Sequence, residues 1–249
     1  MEKKDQSFKY MEVSIHETDI GAKLKGFIDG MEEMAGLRLP QKAYHIMRMA
    51  IRELLLPPGS AVLERELAEV LEMSRTPVRE ALVRLETDGM VKIIPRRGFI
   101  VEPIVREDLE EIYEIAESLD GLAAEKATGT VAEPDLEQLE LLVREQEQAI
   151  EEDDLMKWAK LDDEFHSLII KLAQHQRLNV VVDIHSDHLY RARLFTIHNR
   201  PAPERSILEH KAIIACMRAR DGEAARKVMQ SHRQRARKEI IGVMSTIDQ

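Results

Sequence analysis

The fold is decided between Glu64 and Val101. This stretch reads Glu64-Arg65-Glu66-Leu67-Ala68, then Ser74-Arg75-Thr76-Pro77-Val78-Arg79-Glu80-Ala81-Leu82, then Leu85-Glu86 and Gly89, and closes on Arg96-Arg97-Gly98-Phe99-Ile100-Val101. Leu67, Ala68, Leu71 and Met73 put an apolar stripe on a short helix, and Ser74 stands where a side-chain oxygen can cap the next one. The second helix therefore starts at Arg75. Pro77 fits its first turn, where amide protons lack intrahelical partners, while Val78, Ala81, Leu82 and Leu85 face inward at helical spacing. Arg75, Thr76 and Arg79 are left pointing outward. Gly89 ends the helix, and Val91-Lys92-Ile93-Ile94 and Gly98-Phe99-Ile100-Val101 read as two short strands around Pro95-Arg96-Arg97.

A helix, a turn, a second helix with outward arginines and a basic hairpin together make a winged helix-turn-helix. Its outward positions meet base edges in the major groove, where an Arg holds guanine O6 and N7 in a bidentate contact that Lys cannot reproduce. Two Arg at a hairpin tip suit phosphate or minor-groove contact. The segment from about Lys42 to Val101 resembles the DNA-binding domain of the GntR family of bacterial transcription regulators. The resemblance rests on an ordered set that includes the Ser-Arg-Thr-Pro-Val-Arg-Glu-Ala-Leu run and the closing Arg-Gly-Phe-x-Val. It implies that Arg65, Arg75, Thr76, Arg79 and the wing pair Arg97-Gly98 carry the DNA contacts. Leu63 departs from the pattern, standing where family members often have a capping Ser or Thr. That weakens a cap and not the binding surface.

The chain has 249 residues, 33% charged and 44% hydrophobic, which suits two globular domains with real cores. Met1 to Gln6 lead into no apolar run, no stretch is long enough to span a membrane, and Cys216 has no disulfide partner, so a cytoplasmic protein is expected. The net charge of −10 is unevenly shared. Residues 41–101 carry 10 Lys+Arg against 8 Asp+Glu, residues 1–40 carry 6 against 8, and residues 102–249 carry 20 against 30. The acid sits away from the basic helix and wing, so DNA affinity should depend on correct docking and fall steeply with salt.

Punctuation gives three parts: residues 1–40, a winged domain over 41–103, and an all-α part over 104–249. Leu39-Pro40 precedes the first helix of the winged domain, Pro57-Pro58-Gly59 breaks it from the next, and Glu102-Pro103 ends the wing. In the first part Ile20, Leu24, Phe27, Ile28, Met31 and Met34 form an amphipathic stripe, read as an extra packing helix. In the last, Ile112, Ile115, Leu119, Leu122 and Ala123 recur at helical spacing before an interruption at Thr128-Gly129-Thr130. Leu136 to Ile150 continue the pattern. Further helices are expected over Leu155 to Ala173, Leu178 to His198, Ser206 to Arg220 and Gly222 to Met244. Six or seven helices without strand signals make a bundle, so the chain is mainly α.

Asp162 and His166 are four residues apart on one expected helix and share a face. His210 lies eleven residues before Asp221 and His232 ten after Gly222, so an antiparallel hairpin turning there returns them to the same height, roughly 16 Å from the turn. Three imidazoles and one carboxylate suit Zn²⁺, Ni²⁺ or Mn²⁺. This Asp-x-x-x-His followed by two His twenty-two residues apart resembles the FCD ligand-binding domain of the FadR-type subgroup of GntR regulators. The resemblance implies a divalent cation in a cavity of the bundle, with open positions for the carboxylate of a small organic acid. Family members often carry an Arg on the first helix of this domain to pair with that acid; here the matching position is Ala116. Arg191 and Arg193 are the alternative sources of positive charge. His175, His185, His188 and His198 take surface or supporting roles, one of them lining the cavity, and Cys216, about 240° around the helix from His210, is no ligand.

The reading is a homodimeric regulator, a repressor, that binds a palindromic operator and responds to a small carboxylate at the metal. Metal itself as the signal, without an organic effector, is one alternative. Metal-dependent hydrolysis is another, with Glu164 as candidate base, but Glu164 lies two residues from both Asp162 and His166 and projects away from their face. No His-Glu-x-x-His run or Gly-rich phosphate loop supports it. A third is a protein-interaction module, against which the retained Arg65, Arg75, Arg79 and wing speak.

Overall fold

The computed structural model describes residues 11–12, 15, 20–29 and 36–247. The chain divides into two compact units, Met1–Ile104 and Val105–Gln249. In the first, helix α1 (Ile20–Asp29) and strand β1 (Met11–Glu12) precede α2 (Leu39–Arg52). Leu24 is buried, as the amphipathic stripe requires. Met31 and Met34, and the side chains of Phe27 and Ile28, lie outside the described residues. Leu39 and Pro40 belong to α2 instead of preceding it, because Pro40 fits the first turn, where no amide bond is lost.

The two helices of the DNA-binding motif are α3 (Glu64–Val70) and α4 (Arg75–Thr87). Val78, Ala81, Leu82 and Leu85 of α4 are buried with Tyr44, Met47 and Ile51 of α2, Leu67 of α3 and Phe99 of the wing. Ser74 occupies the N-cap position with extended backbone, but its side chain makes no capping bond, contrary to the expectation from its residue type. Leu63 likewise supplies no side-chain cap to α3. Gly89, at φ +70°, closes α4, and the Met90 amide donates to Leu85 O at 2.9 Å.

The wing is a hairpin of β3 (Val91–Ile94) and β4 (Gly98–Val101), with Ile94 opposite Gly98. Strand β2 (Ser60–Val62), absent from the sequence reading, pairs antiparallel with β4, and β1 pairs parallel with β2, giving the order β1-β2-β4-β3. Three residues carry too little periodicity to announce β2. It is fixed by Gly59, at φ +77°, whose amide donates to Val101 O.

Among its described residues the second unit has six α-helices: α5 (Arg106–Thr130), α6 (Glu133–Glu151), α7 (Leu155–Leu172), α8 (Gln176–Thr196), α9 (Glu204–Arg218) and α10 (Gly222–Ile247). A 3₁₀ turn, Ile197–Asn199, follows α8. Two expectations for α5 are corrected. It does not break at Thr128-Gly129-Thr130: the Thr128 hydroxyl donates back to Ala124 O and that of Thr130 to Ala127 O, both inside the helix, and the break falls at Val131-Ala132. Its inward face is not the Ile112, Ile115, Leu119 stripe. Leu109, Tyr113, Ala116, Asp120, Ala123, Ala124 and Ala127 are buried, and Ile115 is 40% exposed. The reason is close packing on α10. A Cβ on Gly121 would lie 2.8 Å from Gln230 Cγ, so this face takes small residues and one buried ion pair, Asp120–Arg233 at 2.6 Å.

Candidate metal centre and nucleic-acid interface

The α9–α10 hairpin sets the candidate metal centre. It turns through Arg220, at φ +58°, and the Asp221 carboxylate accepts from Ala224 N at 3.0 Å to cap α10. The rings of His210 and His232 then lie 4.9 Å apart. From α7, Asp162 and His166 meet them, and one candidate ligand atom from each of the four buried residues lies within 4.8 Å of every other. His232 Nε2 is 3.2 Å from His166 Nε2, His210 Nε2 is 3.6 Å from Asp162 Oδ1, and His166 Nε2 is 3.9 Å from Asp162 Oδ2. Ligand atoms about 2.1 Å from a tetrahedral ion stand about 3.4 Å apart, so the four already sit near coordination spacing.

Supporting groups fix the ring tautomers. The Gln146 side-chain amide donates to Leu161 O at 3.1 Å, which leaves Gln146 Oε1 to accept from His210 Nδ1 at 2.9 Å. His210 Nε2 is then a bare lone pair, buried, with no hydrogen-bond partner. His232 Nδ1 donates to Glu209 Oε2 at 2.8 Å, and Arg235 grips the same carboxylate. Burial would raise the Glu209 carboxyl, but its hydrogen bonds from His232 and Arg235 bring it down to about 2. Phe165 stacks on His210 at 4.1 Å. Burial holds His166 well below the ordinary imidazole value, His210 down to about 3, and His232 lower as well. Neutral rings are the form that binds a cation. Burial alone would raise Asp162, yet the Arg193 guanidinium, at 2.8 Å, keeps it below its usual range and ionised. Three neutral nitrogen donors, one of them the orphaned lone pair of His210, and one carboxylate fit a divalent transition metal.

A cavity of about 440 Å³, open solvent at its mouth included, adjoins the centre; apolar side chains such as Ile115, Leu119 and Leu189 share its wall with polar ones, among them Asp163, His166, Ser167, Arg193 and Arg233. Both arginines singled out from the sequence are buried, but only Arg193 lines it. Residues 191 and 193 are about 200° apart on α8 and cannot share a face. His185 also lines the cavity. His175 caps α8, its Nδ1 accepting from Leu178 N at 3.2 Å. Glu164 is exposed, and Cys216 stands outside the ligand group.

In the other unit, Arg65, Arg75, Arg79, Arg97 and Gly98 line one open groove with Arg96 and Glu64. Thr76 is exposed in the first turn of α4 but is not among the groove-lining residues. Gly98 has a structural reason to be glycine. At φ +98° its added Cβ would fall 2.1 Å from Val62 O. Glu64 was not singled out by the sequence, and its carboxylate holds Arg75 Nε at 3.1 Å, leaving both terminal nitrogens of Arg75 to the groove.

Residues 39–101 match the bacterial regulatory proteins of the gntR family, and residues 111–235 match the FCD domain. The chain belongs to the GntR family. This GntR chain is 30% identical over 194 residues to the HTH-type transcriptional repressor RspR of Escherichia coli, covering 78% of this chain and 85% of that one. It is 42% identical over 134 residues to an HTH-type transcriptional regulator of Agrobacterium vitis from the TAR-I ttuE-ttuC' intergenic region, covering 53% and 78%. The solved structure of E. coli McbR/YncC has the same fold, with a TM-score of 0.71 at 24% identity over 80% of this chain and 95% of that one. GntR proteins of this kind are DNA-binding transcription regulators and not enzymes, and FCD domains bind metal in some members. No helix among the described residues is long and apolar enough to cross a membrane.

Proposed function

We propose that this GntR–FCD chain is a cytoplasmic, homodimeric repressor whose hold on a palindromic operator is set by a small carboxylate bound beside a divalent cation. Asp162, His166, His210 and His232 are the cation's ligands. The observation that carries this reading is the orphaned Nε2 of buried His210, kept bare by Gln146 and aimed at three other donor groups. A bound cation would supply a Lewis-acidic anchor for a carboxylate oxygen. Arg193 would hold Asp162 ionised, and Gln146 and Glu209 would keep the rings aimed. The naming of RspR as a repressor favours repression.

Arg65, Arg75, Thr76, Arg79 and the Arg97-Gly98 wing are the proposed DNA contacts, with α4 in the major groove. In a two-fold dimer the two α4 helices would meet half-sites one helical turn apart. An effector that binds one arrangement of the bundle better than the other would shift operator affinity by that difference.

The test is elemental analysis of protein purified without chelator or nickel resin, beside a His210→Ala/His232→Ala variant. About one equivalent of transition metal per chain, lost in the variant, is expected. No metal in either protein overturns the cation part. A footprint on a palindromic sequence, lost in Arg75→Ala/Arg79→Ala, is expected for the DNA part.

A further inference from the structure

The elements β1 and α1 precede the stretch that matches the gntR family, yet they share the core of the winged unit. Ile15 and Leu24 are fully buried in the same hydrophobic cluster as Leu67 and Val70 of α3 and Val78 and Leu82 of α4. Strand β1 covers the edge of β2 that β4 leaves open, with Met11 beside Ser60 and Glu12 beside Ala61.

Three contacts fall on the helix-turn-helix itself. The Ile15 amide donates to Glu66 Oε2 of α3 at 3.1 Å. Gly21 lies against both partners: an added Cβ would stand 3.1 Å from Ile15 O and 3.7 Å from Val70 Cγ2. Lys25 Nζ lies 3.8 Å from Glu72 Oε1, in the turn between α3 and α4, where Glu72 takes φ +54°. That last pair is exposed and adds little stability, but it shows that the segment reaches the turn.

Glu66 and Val70 are four residues apart and share one face of α3, whereas Arg65 is about 100° round the helix from Glu66. The segment therefore grips α3 from a side that leaves Arg65 in the groove. The same helix carries Glu64, which holds Arg75. Whatever fixes α3 thus aims two groove arginines, one directly and one through Glu64. An acid on a helix that meets DNA repels phosphate, so Glu66 is explained by its hold on the Ile15 amide.

We propose that the segment from β1 to α1 is a brace for DNA recognition, anchored at Glu66, that sets the pose of α3 and through it the aim of Arg65 and Arg75. Glu66 is a positioning residue and not a DNA contact. This rests on the reading that Arg65 and Arg75 meet the operator.

The experiment uses the full-length protein, a duplex that the wild-type chain selects from a random pool, and a scrambled duplex. Titrations are run well below the melting temperature of each variant, set by circular dichroism. Glu66→Ala is expected to bind the selected duplex about tenfold more weakly than Glu66→Gln, which keeps an acceptor for the Ile15 amide, and the scrambled duplex alike. Loss of charge alone would tighten both variants equally. Gly21→Val, which crowds Ile15 from the other side, is expected to lose about as much as Glu66→Ala, and the double variant no more than either, because both release one segment. Equal affinity of Glu66→Ala and Glu66→Gln for the selected duplex, additive losses in the double variant, or a loss equal on both duplexes overturns the brace and leaves DNA binding in place. A wild type that selects no duplex overturns the DNA-binding reading and the brace with it.

Discussion

Arg75 shows how one residue can be aimed. Its Nε is held by Glu64 while the side chain stays 68% exposed, so the planar fork is presented without being buried. Arg75→Ala should cost about 1–3 kcal/mol and relax base preference at one operator position. Arg97→Ala should weaken all sequences alike and lower the salt slope by about 1. Titrations of selected and scrambled duplexes across a salt series check both. At the metal centre, Gln146→Ala and Glu209→Gln should each lower metal affinity roughly 10–100-fold with all four ligands intact, read by competition with a chelating dye. That Asp162, His166, His210 and His232 come together was legible because a four-residue step and a hairpin symmetry are local arithmetic. Gln146 was not, since it lies 64 residues from His210 and only tertiary packing joins them. Glu209 offered a fainter signal: it is next to His210 in sequence, yet it serves His232 across the hairpin.

At the scale of elements, α2 and the end of α4 are tied through Tyr44. Its hydroxyl donates to Asp88 Oδ2 at 2.8 Å, and Arg84 lies 3.8 Å from the ring centroid. Tyr44→Phe should destabilise the winged unit by about 1 kcal/mol in denaturant unfolding. Burial, with the Asp88 hydrogen bond, pushes Tyr44 up to about 12. A raised pKa means that this contribution is full below the unfolded value near 10 and is lost as pH rises through about 12. In Tyr44→Phe that part of the alkaline fall should vanish. Gly98→Ala should cost at least about 2 kcal/mol, because the wing must leave β2 to admit a methyl group. Loss of DNA binding there would come with loss of sheet structure by circular dichroism. Intact structure would instead assign Gly98 to the DNA contact alone. The long helices were readable from period and punctuation. The inward face of α5 was not, because its tight approach to α10 selects Ala and Gly over the bulkier Ile and Leu that periodicity favours.

For the whole molecule, the two units have separate cores, and the proposed cation binds only one of them. Zinc at a thousand times its Kd should stabilise that unit by about 4 kcal/mol, a rise on the order of 10 °C. In scanning calorimetry one transition should move on chelation and the winged unit's transition should stay. Both moving together would show that the units unfold as one. The four ligands come from three helices, and their spread along the chain has a consequence in time. His232 is 70 residues after Asp162. At a synthesis rate of roughly 5–20 residues per second, it leaves the ribosome about 4–14 s later. During that interval the growing chain would offer only the pair from α7 and would compete poorly for scarce ions. On the proposed reading, the nascent protein would draw little from the cell's metal supply, and each copy would be loaded as a finished bundle, at whatever metal level prevails when its last helix docks.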